Sequence, residues 1–126
     1  VELGVRSLSS GERDFIKKER KVSVHAAWDE EARRSLERLP KDVYISLDFD
    51  GVDPTVIRAV GTPEPGGLSW RDLMDIFDTV FSSKRVIGMD AVELCPSEAD
   101  EASNFIAAKA VYEAVSRALA GEVGSE

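Results

Sequence analysis

The chain has 126 residues, a formal net charge of -8, one histidine and one cysteine. That length suits one ordinary domain with a core of its own. The acidic balance argues against nucleic acid, whose phosphates need clustered Lys and Arg, and suits a cationic small molecule, a divalent metal or plain solubility.

Four apolar, β-branched runs read as strands: Val1–Arg6, Lys21–His25, Val43–Phe49 and Val86–Leu94. Between them the period changes to that of helices. Ser9 with Glu12 three residues on has the form of a capping box, opening a helix through about Arg20. A second helix is expected from Asp29 to Leu39, ended by Pro40; its alternating Glu and Arg residues read as a solvated face. Ser69 with Asp72 caps a third, which carries Leu73, Ile76, Phe77 and Val80 on one side. The last runs from about Glu101 to Ala120, with Phe105, Ala108, Val111, Tyr112, Val115 and Leu119 as its expected buried stripe and Gly121 as its stop. Strand–helix alternation of this kind predicts an α/β domain with a mainly parallel sheet. The chain shows no internal repeat, linker, signal-peptide pattern or apolar run of membrane-spanning length, so no membrane partner is expected. Cys95 alone cannot form an internal disulfide, which fits a reducing, cytoplasmic compartment; it reads as a small buried side chain. Trp28 and Trp70 read as packing anchors.

The chemistry concentrates in Ser46-Leu47-Asp48-Phe49-Asp50-Gly51-Val52-Asp53-Pro54. On a strand, Asp48 and Asp50 would point to one face, roughly 6.5 Å apart along it. Placed after what reads as a central buried strand, two such carboxylates would repel unless a cation lay between them. Oxygen donors of this kind favour Mg²⁺ or Mn²⁺; turn-capping or solvated carboxylates are the plain alternative. The Pro- and Gly-rich stretch 51–67 follows at the strand's carboxyl end, where open α/β sheets bind ligands, and loops of that length are functional or disordered. Within it, Asp53-Pro54 reads as a turn. Glu93 ends the last strand, where it could clamp a guanidinium or amine or simply be exposed. Asp90, less terminal, reads as a buried structural residue, and His25 as structural or exposed.

Three ordered motifs, Ser46–Pro54, Gly61-Thr62-Pro63-Glu64-Pro65-Gly66-Gly67 and Asp90-Ala91-Val92-Glu93-Leu94-Cys95-Pro96, resemble the C-terminal half of the ureohydrolases, the arginase, agmatinase and formiminoglutamase family. The opening Leu3-Gly4-Val5-Arg6-Ser7 resembles a strand of the same family, so the likeness spans nearly the whole chain. It implies a three-layer α-β-α fold, of which residues 1–126 would be the C-terminal portion of a single domain. It implies two Mn²⁺ per site in the complete enzyme, with Asp48 and Asp50 matching a pair of aspartate ligands. Glu93 matches the glutamate that orients the substrate guanidinium, and Thr62 falls on the pocket wall. In such enzymes a metal-bridging hydroxide attacks the guanidino carbon, giving urea and an amine. Pro63, Gly66 and Gly67 would shape the loop, and a homo-oligomer is expected.

The family's Gly-Gly-Asp-His and Asp-Ala-His-x-Asp segments do not occur in these residues. A chain that opens inside a strand at Val1 is read as a fragment lacking its upstream half, so the expectation is an inactive piece of an active parent. Missing strands, a central one included, would leave exposed edges that favour self-association. Residues 55–60 also depart from the relatives' pattern before Gly61-Thr62-Pro63, and Glu64-Pro65 looks agmatinase-like while Asp50-Gly51 is shared with arginases. The alternative is a non-catalytic relative serving as an assembly or regulatory subunit. A deacetylase on the related superfold fits less well, because its sites resemble Asp-x-His rather than Asp48-x-Asp50.

Overall fold

A computed structural model describes residues 1–123. In chain order the elements are β1 (Glu2–Leu3), α1 (Ser10–Glu19), β2 (Val24–His25), α2 (Glu30–Glu37), β3 (Asp42–Asp48), a 3₁₀ turn (Phe49–Gly51), α3 (Trp70–Ser83), β4 (Arg85–Val92) and α4 (Glu101–Val123). All strand pairing is parallel, as the alternation of strands and helices predicts, yet the strands form two separate pairs, β1–β2 and β3–β4. Strands β1 and β2 are much shorter than the runs that suggested them.

Local signals placed the helix starts well. Ser9 and Ser69 each close a full capping box, with Glu12 and Asp72 returning a carboxylate to the cap backbone. Asp29 caps α2 by accepting from the Ala32 amide at 2.9 Å. On α3 the four expected residues, Leu73, Ile76, Phe77 and Val80, are all buried. They meet Val43, Ile45, Leu47, Val86 and Met89, so α3 packs over one face of β3–β4, with α2 and α4 packed against α3. The opposite face, carrying Tyr44, Ser46 and Asp48, is open. There Asp90 accepts from the Tyr44 hydroxyl at 3.0 Å and the Ser46 hydroxyl at 2.7 Å, a structural role on a half-buried residue rather than the buried one expected, and it holds the Tyr44 phenol above its usual range.

Four expectations are corrected. Helix α4 buries Ser103, Ala107, Ala110 and Ala114, while Phe105 (73% exposed), Ala108, Tyr112, Val115 and Leu119 face outward. Small side chains let α4 lie close against α3 and the loop after β3, a geometry that the larger residues would prevent. The helix also passes Gly121 and continues to Val123. Cys95 is exposed, because the backbone leaves β4 before reaching it. His25 is held at 3.0 Å from the Ser35 hydroxyl, a structural contact. Trp28 donates to Asp75 at 2.7 Å and lies under the Arg33 guanidinium, 5.0 Å from its ring centre. Arg33 also donates to Asp75 and Thr79, so the charged face of α2 is partly a contact with α3 rather than a solvated surface.

Candidate metal and substrate site

Strand β3 stops at Asp48, and this changes the expected geometry of the carboxylate pair. Asp48 caps the 3₁₀ turn, accepting from the Asp50 amide at 2.8 Å, so Asp50 lies on the turn and not two positions along a strand. Nor is β3 the buried central strand expected: one face is open, Asp48 is exposed and Asp50 half-buried. A tight turn here lets Phe49 enter the core (3% exposed) while the flanking carboxylates stay near solvent.

The segment from Gly51 to Gly67 is packed rather than disordered. Val52, Ile57 and Val60 are buried, and the two ends of the loop meet in a parallel bridge between Val52 and Leu68. Asp53 is its clamp. One carboxylate oxygen accepts from the Thr55 hydroxyl and amide, at 2.5 and 2.9 Å, and the other from the Gly66 and Gly67 amides, at 2.7 and 3.1 Å. The Thr55 hydroxyl contributes most to holding the Asp53 carboxyl down at about 2. The turn at Asp53-Pro54 was legible, but its ties to Gly66 and Gly67 were not, because nothing local in the sequence links them.

This clamp folds the loop back so that Thr62 meets Asp50. The Thr62 amide donates to one Asp50 oxygen at 3.2 Å and its hydroxyl to the other. From the far side, an antiparallel bridge joins Val60 to Leu94, and the Cys95 amide donates to the Ala59 carbonyl at 2.8 Å. Between those contacts Glu93 adopts φ 65°, a left-handed conformation that costs a non-glycine residue about 1–2 kcal/mol. Its carboxylate lies beside Gly61, with one oxygen 4.0 Å from where a β-carbon there would sit. Asp48, Asp50, Thr62 and Glu93 are thus gathered at the carboxyl ends of β3 and β4.

Missed in the sequence were Arg6, Ser7 and Glu64. Arg6 donates to the Glu64 carbonyl at 2.6 Å and to the Gly4 carbonyl at 2.5 Å, and the Ser7 hydroxyl reaches the Glu64 carboxylate at 2.8 Å. These bonds fasten the chain after β1 to the loop after β3. Long-range charge-assisted contacts of this kind leave no periodic signal.

The donors fit a hard divalent cation in kind, since both aspartates offer only oxygens. They fall short in number: among the described residues no group of three or more His, Cys, Asp or Glu side chains could hold a metal. No described helix is long and apolar enough to cross a membrane.

Comparison with known proteins follows the same lines. The Arginase family model matches residues 1–116. The chain is 42% identical over 122 residues to the N(1)-aminopropylagmatine ureohydrolase of Thermus thermophilus, covering 91% of this chain and 40% of that protein. It is 35% identical over 103 residues to the arginase of Brucella melitensis, covering 75% and 34% respectively. Among solved structures, the agmatine ureohydrolase of Thermoplasma volcanium superposes with a TM-score of 0.74 at 31% identity, covering 92% of this chain and 41% of that one. An arginase from Medicago truncatula gives 0.73 at 29% identity, covering 94% and 39%. The chain therefore spans about 40% of the length of the Thermus thermophilus ureohydrolase it matches.

Proposed function

The chain belongs to the arginase family, and from that membership we propose that it carries part of the active site of a manganese ureohydrolase acting on a linear guanidino compound. The observation that carries the proposal is the meeting of Asp50 with Thr62 beside Asp48 and Glu93, four residues from two strand ends and one long loop. Asp48 and Asp50 would be metal ligands. Thr62, by donating to both Asp50 oxygens, would fix the direction in which that carboxylate presents its remaining lone pairs. Glu93 would bind the guanidinium through paired charge-assisted hydrogen bonds. When bound, manganese supplies a water whose pKa is low enough to furnish hydroxide near neutral pH.

Relatives named for agmatine and aminopropylagmatine support a substrate with a guanidinium and no α-carboxylate, which also suits the acidic chain. Because Asp48 and Asp50 do not by themselves make a metal centre among the described residues, the 126-residue chain alone is expected to be inactive. Self-association into a homo-oligomer belongs to the same proposal, and the outward stripe of Phe105, Tyr112, Val115 and Leu119 on α4 is a surface of the required kind.

The test is calorimetric titration of manganese into the intact gene product, followed by urea release from agmatine, aminopropylagmatine and arginine. Two manganese ions bound with urea released supports the proposal and identifies the substrate. A folded protein that binds no manganese is instead a non-catalytic relative. Unchanged manganese occupancy in Asp48→Ala and Asp50→Ala would refute the ligand assignment, whereas Glu93→Gln should keep the metal and lose substrate affinity.

A further inference from the structure

The loop that brings Thr62 to Asp50 continues to a carboxylate that neither the metal nor the guanidinium assignment uses. Glu64 is half-buried and shares one cavity wall with Asp48, Asp50, Thr62, Arg6 and Ser7. Its place is fixed from several sides. Pro63 and Pro65 flank it, so its backbone is restricted from both directions. Arg6 donates to its carbonyl at 2.6 Å. The Ser7 hydroxyl reaches its two carboxylate oxygens at 2.9 and 2.8 Å.

Those contacts leave the carboxylate largely unspent. One hydroxyl carries one proton, whereas a carboxylate offers about four lone-pair sites. Arg6 turns its terminal nitrogens to the Gly4 and Glu64 carbonyls, and among the described residues no ion pair includes Glu64. Glu64 is an anion held rigidly beside the site without a counter-charge, an arrangement that loses little freedom when a cation arrives.

We infer, on the basis of the guanidinium binding at Glu93 proposed above, that Glu64 receives the ammonium at the far end of the substrate. It would thereby select guanidino compounds that end in an amine over those whose far end is an alkyl group or also bears a carboxylate. The loop itself is the ruler. Gly61 lies beside the Glu93 carboxylate, and Glu64 is three residues further on. That stretch spans up to about 11 Å before side-chain reach is added. In agmatine the guanidino carbon and the amine lie about 7 Å apart at the backbone's own extension per bond, and an aminopropyl arm lengthens this to about 12 Å. An unbranched guanidino-amine can therefore run from Glu93 past Thr62 to Glu64 with a cation on each carboxylate. A carboxylate in the ammonium's place would be repelled by Glu64, and an alkyl end would leave that charge unpaired.

The experiment measures urea release by the manganese-loaded intact gene product and its Glu64→Gln variant. The substrates are agmatine, aminopropylagmatine, arginine and butylguanidine, the last having agmatine's guanidinium and alkyl chain without the amine. Gln keeps an oxygen to accept from Ser7, so the tie survives while the charge is lost, and a melting curve checks the fold. The wild type should prefer the better of the two amines to butylguanidine in kcat/KM. In the variant that preference should fall about tenfold, through KM rather than kcat, and the preference over arginine should fall with it. A wild type that uses butylguanidine as well as the amines, or a folded variant that keeps the wild-type preference, would overturn the assignment of Glu64 and leave that of Glu93 standing. Urea from none of the four would instead overturn the ureohydrolase reading of the site, and the role of Glu64 with it.

Discussion

Gly67 fixes the loop that positions Asp50, and replacing it by Ala tests that packing directly. An added β-carbon would lie 2.7 Å from both the Asp53 amide nitrogen and the Val52 carbonyl carbon, and 2.9 Å from the Gly51 carbonyl oxygen. All three are backbone atoms, so no side chain can rotate away. Bringing the closest pairs to ordinary contact at about 3.5 Å requires the two sides of the Val52–Leu68 bridge to part by roughly 0.8 Å. That movement strains the Asp53-to-Leu68 and Leu68-to-Gly51 hydrogen bonds, now 2.9 and 3.0 Å. Overpacking costs about 1–3 kcal/mol and a weakened hydrogen bond up to about 1 kcal/mol, so Gly67→Ala should lose roughly 2–4 kcal/mol. For a chain of this size the melting temperature should fall by roughly 10 °C, followed by circular dichroism. Two other glycines calibrate the result. Gly66 has φ 82° but open space around it, so its Ala variant bears only the backbone cost of about 1–2 kcal/mol. Gly11 sits in α1 with nothing nearby, and Gly11→Ala should hold or raise stability by up to about 1 kcal/mol. A Gly67→Ala chain no less stable than Gly66→Ala would refute the packing account.

Asp53 should give the chain an acid-sensitive window. Its folded pKa, about 2, lies below the ordinary 3.8, so its contribution to stability is full above the ordinary value and is lost as pH falls through about 2. Melting temperature measured against pH should drop across that interval, and Asp53→Asn should flatten the drop; an unchanged slope would remove Asp53 from the clamp. In the intact enzyme, Thr62→Val should weaken manganese binding about tenfold by freeing Asp50, while Thr62→Ser retains affinity, both read by calorimetry. Equal affinities would leave Thr62 without a positioning role. On α4, Ala110→Leu should destabilise by about 1–3 kcal/mol because Ala110 is fully buried, whereas Phe105→Ser should change stability by less than about 0.5 kcal/mol. The reverse order in a urea melt would mean that the helix is turned the other way.

What the sequence made legible was mostly local or strongly periodic. Ser9 with Glu12 and Ser69 with Asp72 announce helix starts because the capping groups lie within one turn of each other. The α3 stripe was legible because four large residues at helical spacing leave little choice of face. Helix α4 misled for the opposite reason: it has both a small-residue face and a larger apolar one, and size alone favoured the wrong one. The site shows the same division. Asp48, Asp50, Thr62 and Glu93 were singled out from motif order, but the geometry joining them was not legible. It depends on Asp53 holding Gly66 and Gly67 from 13 and 14 positions away, and on β4 meeting the loop at Val60.

Those non-local ties also explain why four exposed or half-buried polar groups can share a site without a continuous sheet beneath them. Asp50 is steered by Thr62, Thr62 by the Asp53 clamp, and Glu93 by the bridge from Leu94 to Val60, all near the carboxyl ends of β3 and β4. Arg6, Ser7 and the Gly4–Gly51 contact tie this loop to the β1 side, where Leu3 also packs against Leu36, Leu68, Ile76 and Val80. The Asp50 end of this loop is therefore tied to the β1 side through Glu64 and Gly51, whereas Glu93 is held through the Val60–Leu94 bridge.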